Sequence, residues 1–133
     1  MENFEILFYA KLSIVVFMAV LFLQSGLDKI FDFNGNKAYI KSVFEKTVLG
    51  SFSGLLFLSI TVLEVATGIV ALIGGLQMCF NQKEDLALMA LFLSSASLLS
   101  LFAGQRIAKD YGGASGIVPY FIVVVLGLYL FSL

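Results

Sequence analysis

Histidine and tryptophan are missing from this sequence, cysteine and proline occur once each, and charged residues make up only 13% of it. Without imidazole or clustered thiols, haem axial ligation, imidazole acid–base chemistry and tetrahedral zinc sites have no ligands to draw on, so no metal site is expected. Cys79 alone cannot form an intrachain disulfide or a C-x-x-C redox pair, and it reads as an inert thiol. Eight basic residues against nine acidic ones give a formal charge of −1, too little cation for a nucleic-acid footprint. No nucleophile–base pair or phosphate-binding strand–loop–helix can be found, so no catalytic residue is assigned and an enzyme acting alone is not expected.

What the chain has instead is apolar length. Of 133 residues 60% are hydrophobic, against ~45–50% in ordinary soluble domains. With charges as punctuation, four runs emerge, at residues 6–25, 50–76, 86–104 and 117–133, of 20, 27, 19 and 17 residues. A hydrocarbon core about 30 Å thick takes ~17–25 helical residues, so each run is long enough to span and the longest spans with tilt. The runs are continuous rather than alternating, which favours helices over a barrel. The expected fold is all-α: one polytopic membrane domain, a four-helix antiparallel bundle in the lipid bilayer. Glu2 and Glu5 stand where a secretory signal carries its basic residues, so the first run is expected to stay on the mature chain.

The connection between the first two runs is long enough for structure of its own. Asn34-Gly35-Asn36 reads as a turn; after it, Lys37, Lys41 and Glu45 share one helical face and Tyr39, Ile40, Val43, Phe44 and Val48 the other. This predicts a short interfacial amphipathic helix over 37–48, lying at headgroup level or over the mouth of the bundle. Gly112, Gly113 and Gly116 are expected to form a tight turn leading to Pro119 in the first turn of the last helix. Connections one and three carry Lys29, Lys37, Lys41, Lys46, Arg106 and Lys109, whereas the other side carries Lys83 and at most Lys11. The positive-inside rule then places those two connections in the cytoplasm and both termini outside.

Small residues mark the packing faces. Gly54, Thr61, Gly68 and Gly75 recur every seven residues in the second run, and Ala96, Ser100 and Gly104 every four in the third, with Ser94, Ser95 and Ser97 adding hydroxyls. Glu64 stands in the middle of the second run, where an ionised carboxylate facing lipid would cost several kcal/mol. Its place three residues after Thr61 and four before Gly68 turns it inward. Counted from the first connection, Glu64 and Lys11 each lie 14 residues along their helices, about 21 Å, which predicts either a Lys11–Glu64 bridge with Tyr9 and Tyr129 nearby, or a snorkelling Lys11 and a protonated Glu64. At the other end Gln24, Asp28, Lys29, Gln105, Arg106, Lys109, Asp110 and Tyr120 either ring a headgroup-level pocket or are solvated helix ends.

Leu23-Gln24-Ser25-Gly26-Leu27-Asp28-Lys29-Ile30-Phe31, then Leu63-Glu64 with Gly68 and Gly74-Gly75, within four helices in some 130 residues, resemble the DoxX-like family of small four-helix bacterial membrane proteins. The resemblance implies a multi-pass protein of the bacterial inner membrane associated with quinone-linked oxidases, thiosulfate oxidation or thioredoxin-partnered systems. Two functions follow as expectations. One is a non-catalytic subunit of a membrane redox complex, with a quinone or lipid-tail cleft near Glu64 and the electron carrier on another membrane-protein subunit. The other is a structural or assembly subunit of an inner-membrane secretion, motility or transport machine. Four helices with one buried acid and no inverted repeat make a poor free-standing transporter.

Overall fold

The computed structural model describes residues 2–133, which form five α-helices and one short 3₁₀ turn. They are α1 (Asn3–Phe31), α2 (Phe33–Phe44), α3 (Ser53–Asn81), α4 (Asp85–Ile107) and α5 (Tyr111–Phe131), with the 3₁₀ turn Gly50–Phe52 leading into α3. Four of them, α1, α3 with its leading turn, α4 and α5, are long and apolar enough to cross a membrane.

α1 and α4 overrun their apolar runs at both ends, through the first charged side chains, while α3 extends past its run through Asn81 and α5 starts before its run at Tyr111. The breaks fall where the backbone leaves helical geometry: Asp32 separates α1 from α2, while Gln82 and Lys109 adopt left-handed conformations after α3 and α4. Two expected turns are helical instead. Asn34-Gly35-Asn36 lies within α2, since the Asn36 amide donates to the carbonyls of Asp32 (2.9 Å) and Asp28 (3.3 Å) and stitches the two helices across the break. Gly112, Gly113 and Gly116 belong to α5, whose start is fixed by the Asp110 carboxylate accepting from Gly113 N at 3.0 Å, an N-cap. Pro119 therefore sits inside α5 rather than in its first turn, and its ring leaves the Ser115 carbonyl without the usual intrahelical donor.

Close backbone approach sets the register. A Cβ on Gly68 would lie 2.8 Å from Leu23 N, and one on Gly26 would lie 3.2 Å from Val65 N, so residues near 24 of α1 meet residues near 67 of α3. Toward the other end, Gly75 faces Val15 and Leu12. Rising numbers in α1 thus meet falling numbers in α3. Gly74 does the same for α4, with a would-be Cβ 2.6 Å from Ala87 N. Small residues let these helices touch backbone to backbone, where dispersion contacts accumulate.

The seven-residue stripe of α3 packs as its spacing predicts: Thr61, Gly68 and Gly75 are buried and Gly54 is half-buried against the Lys37 stem. On α4 the buried stripe is Ala87, Ala90, Leu91, Ser94, Ser97 and Leu98. Ala96 and Ser100 are exposed and Gly104 meets the Phe44 ring, because Ala96 lies about 200° around the helix from Ser94, on the side away from the buried stripe.

The exterior is as apolar as the interior, and a few polar side chains are enclosed. Val20, Leu55, Val62, Phe92, Ile122 and Leu126 are at least half exposed, while Glu64, Thr61, Thr67, Ser94 and Ser97 are buried. Lys11 is buried toward the end away from α2, whereas Glu64 and Thr61 lie toward α2 and Thr67, Ser94 and Ser97 near mid-length. Beyond them Val15, Met18, Ala71, Leu91 and Val124 close the interior with an apolar layer.

Candidate functional site

Ser25 and Lys29 are one helical turn apart near the end of α1, on the side that meets α3. Opposite them α3 presents Glu64, 1% exposed. Lys29 Nζ donates to Glu64 Oε2 at 2.9 Å and to Ser25 Oγ at 3.1 Å, and Ser25 Oγ donates to the same carboxylate oxygen at 2.7 Å. Three groups from two helices form a closed triangle on one oxygen. The second oxygen, Oε1, is buried and has no hydrogen-bond partner within the protein. The second oxygen thus has its lone pairs uncommitted within the protein.

The neighbouring hydroxyls of α3 and α4 are engaged elsewhere. Thr61 Oγ1 donates to the Phe57 carbonyl at 2.8 Å, and Thr67 Oγ1 donates to Leu63 O at 2.7 Å while meeting Ser97 Oγ at 3.1 Å. The last contact ties α3 to α4 one turn from Glu64.

The bridge expected between Lys11 and Glu64 is replaced by two others. In the register fixed by Gly26 and Gly68, Glu64 stands level with residue 27 of α1, and Lys11 lies roughly 24 Å further along the helix. Lys11 instead donates to both carboxylate oxygens of Glu84 at 3.0 and 3.1 Å and lies 5.0 Å from the centre of the Phe131 ring. Its ammonium is thus held by a carboxylate and an aromatic face. Tyr9 and Tyr129 are exposed, away from Glu64, and Tyr9 lines an open groove with Cys79, Gln82 and Glu84.

Beside the Lys29–Glu64 pair lies a cavity of about 270 Å³. Ile40, Val43 and Phe44 of α2 roof it, Phe57 and Ile60 of α3 wall it, and Leu101 of α4 closes the far side. Its lining also includes Lys29, Tyr39, Ser100, Gln105 and Asp110, which carry polar groups. Of the polar residues expected to gather here, Lys29, Gln105 and Asp110 line the cavity. Gln24, Asp28 and Lys109 are exposed, Arg106 stacks on Tyr111 at 4.5 Å, and Tyr120 packs beside Phe17 at 6.1 Å. Gln105 Oε1 is buried and, like Glu64 Oε1, has no partner within the protein.

Sequence reasoning missed Ser25 and Glu84. The four-residue spacing of Ser25 and Lys29 was the available signal for the first; nothing in the acidic second connection singles out Glu84 over Asp85. Compared with protein-family models, curated proteins and solved structures, the chain matches none.

Proposed function

We propose that this chain is a non-catalytic, multi-pass subunit of a bacterial inner-membrane complex of the redox, quinone-linked kind that the DoxX-like resemblance suggests. In this reading α1, α3, α4 and α5 cross the bilayer as an antiparallel bundle, and α2 lies at the headgroup level over one mouth. The observation that carries it is the enclosed Ser25–Lys29–Glu64 triangle beside an apolar cavity, within four helices of membrane-spanning length. An intramembrane acid with a free oxygen is suited to holding a proton for a redox partner, and an apolar cavity is suited to a quinone ring or lipid tail.

Purification of the native complex in mild detergent tests the function. A haem or flavin spectrum on co-eluting partners is the expected result; colourless partners move the chain to a structural or assembly role, and a chain that runs alone overturns both. Glu64→Gln sharpens the test, because unchanged assembly and electron transfer would remove the ionised-site reading.

Lysines 29, 37, 41, 46 and 109 and Arg106 cluster toward the α2 end, so the positive-inside rule puts that end in the cytoplasm. Cys79, exposed in the last turn of α3 and unique in the chain, is a built-in reporter. A membrane-impermeant maleimide is expected to label it in intact spheroplasts; labelling only after lysis reverses the orientation.

A further inference from the structure

The cavity beneath α2 begins where α3 and α4 part. Toward their other ends the two backbones touch at Gly74 and Ala87, and Thr67 Oγ1 meets Ser97 Oγ at 3.1 Å. From that bond toward α2, Phe57 and Ile60 line one side of a gap and Leu101 and Gly104 the other, with the Phe44 ring set against Gly104. The exposed rim is Tyr39 of α2 and Ser100, Ala103 and Ile107 of α4. Steps of three and four residues put the last three on one face of α4, so the opening runs roughly 10 Å along that helix. Its volume of about 270 Å³ is below the ~300 Å³ at which sites enclosing a whole small molecule begin. The occupant it fits is therefore part of a molecule whose remainder lies outside.

The lining does not select a head. Lys29 Nζ is held by Glu64 and Ser25, Ser100 Oγ donates to the Ala96 carbonyl at 2.8 Å, and Asp110 Oδ1 accepts from Gly113 N. Gln105 Oε1 is enclosed, Tyr39 stands at the rim, and the formal charges of Lys29 and Asp110 cancel. A hydrocarbon chain needs no partner in such a place, whereas the carbonyls of a quinone would compete for groups already engaged. The surface of α3 and α4 at this level is apolar, with Leu55, Leu58 and Leu99 at least half exposed. In a bilayer, what adjoins the opening is lipid hydrocarbon, and a gap left unfilled forfeits dispersion contacts.

We propose that this cleft is a site for one acyl chain of a bilayer phospholipid, entering between α2 and α4 and held by the fit of its tail whatever its headgroup. The proposal rests on the membrane-embedded reading above and narrows the occupant of the cavity to a tail.

The test uses the full chain in phosphatidylcholine vesicles doped with a phosphatidylcholine that carries a diazirine in one acyl chain, and labelled residues are mapped by mass spectrometry. Leu58 is the internal reference, because it is half exposed and stands two residues from Ile60 on the same helix, at nearly the same depth. Ile60 is expected to be labelled at least five-fold more than Leu58, and Ser100→Phe, which fills the cleft from an exposed position, to bring the two level. Moving the labelled chain onto phosphatidylglycerol is expected to change the ratio less than two-fold. Equal labelling of Ile60 and Leu58 in the unchanged protein, whether the cleft is empty or covered by a second copy, overturns the proposal. So does a larger change with the headgroup, or a quinone with the diazirine on its ring that labels Ile60 more than the phospholipid does at equal mole fraction. Flotation with the vesicles, scored in the same samples, separates the two readings: a chain that floats without the Ile60 preference refutes the tail site alone, and one that does not float refutes the membrane reading.

Discussion

Lys11 and Lys29 stand on the same helix, five full turns apart and hence on one face, and each meets a carboxylate at about 3 Å. Their surroundings differ. Glu84 keeps 40% of its side chain exposed at a helix start, whereas the Glu64 side chain is 1% exposed and shares its oxygen with Ser25. Removing Lys11 leaves a carboxylate that can turn to polar surroundings; removing Lys29 leaves one that cannot. Equal geometry therefore carries unequal consequences, and what decides is the escape open to the surviving partner.

The largest expected effect tests that claim directly. Lys29→Ala strands the Glu64 charge and is expected to cost about 3–5 kcal/mol, read as loss of the monodisperse fraction after heating in detergent. Restoration by the second change Glu64→Leu is the signature of a stranded charge; no restoration would assign the loss to the lysine stem. Next comes Gly74→Val, which pushes a side chain onto the Ala87 backbone and should cost roughly 1–3 kcal/mol through overpacking. A neutral result would mean that α3 and α4 separate at little cost and that close approach does not fix the register. Lys11→Ala should cost less than ~1 kcal/mol in the same assay, since Glu84 remains partly exposed; a loss equal to that of Lys29→Ala would erase the contrast between the two pairs. Smallest of all is the coupling: the Lys11→Ala, Lys29→Ala double variant is expected to be additive within ~0.5 kcal/mol, because the pairs share no partner.

Much of this was legible in the sequence. Charge punctuation and apolar length located all four long helices, whereas the two-faced pattern over 37–48 overlaps α2 only at 37–44, and Tyr39 and Val48 of its apolar face are exposed. Glu64 faces inward because Thr61 and Gly68 flank it on one stripe, which periodicity alone dictates. The identity of its partner was not legible, because helical register depends on which backbones touch, and Gly26 against Val65 is a contact that no apolar boundary marks. Starting both helices at the edges of their apolar runs displaced Lys11 onto Glu64. The Asn34-Gly35-Asn36 misreading has a similar origin: residues that favour turns also cap, and the Asn36 amide found carbonyls one and two turns back. The polar end was legible as a list of residues but not as a cavity, since only the fold of α2 over α3 and α4 separates Lys29, Gln105 and Asp110 from their solvated neighbours.

The apolar layer of Val15, Met18, Ala71, Leu91 and Val124 gives the protomer an electrical character. Between the serines of α4 and the Lys11–Glu84 pair at the far end, this layer holds no buried hydroxyl or carboxylate among the described residues. On the proposed membrane-embedded reading the bundle is a capped well rather than a conduit, and its overproduction is expected to leave the membrane's ion gradient intact.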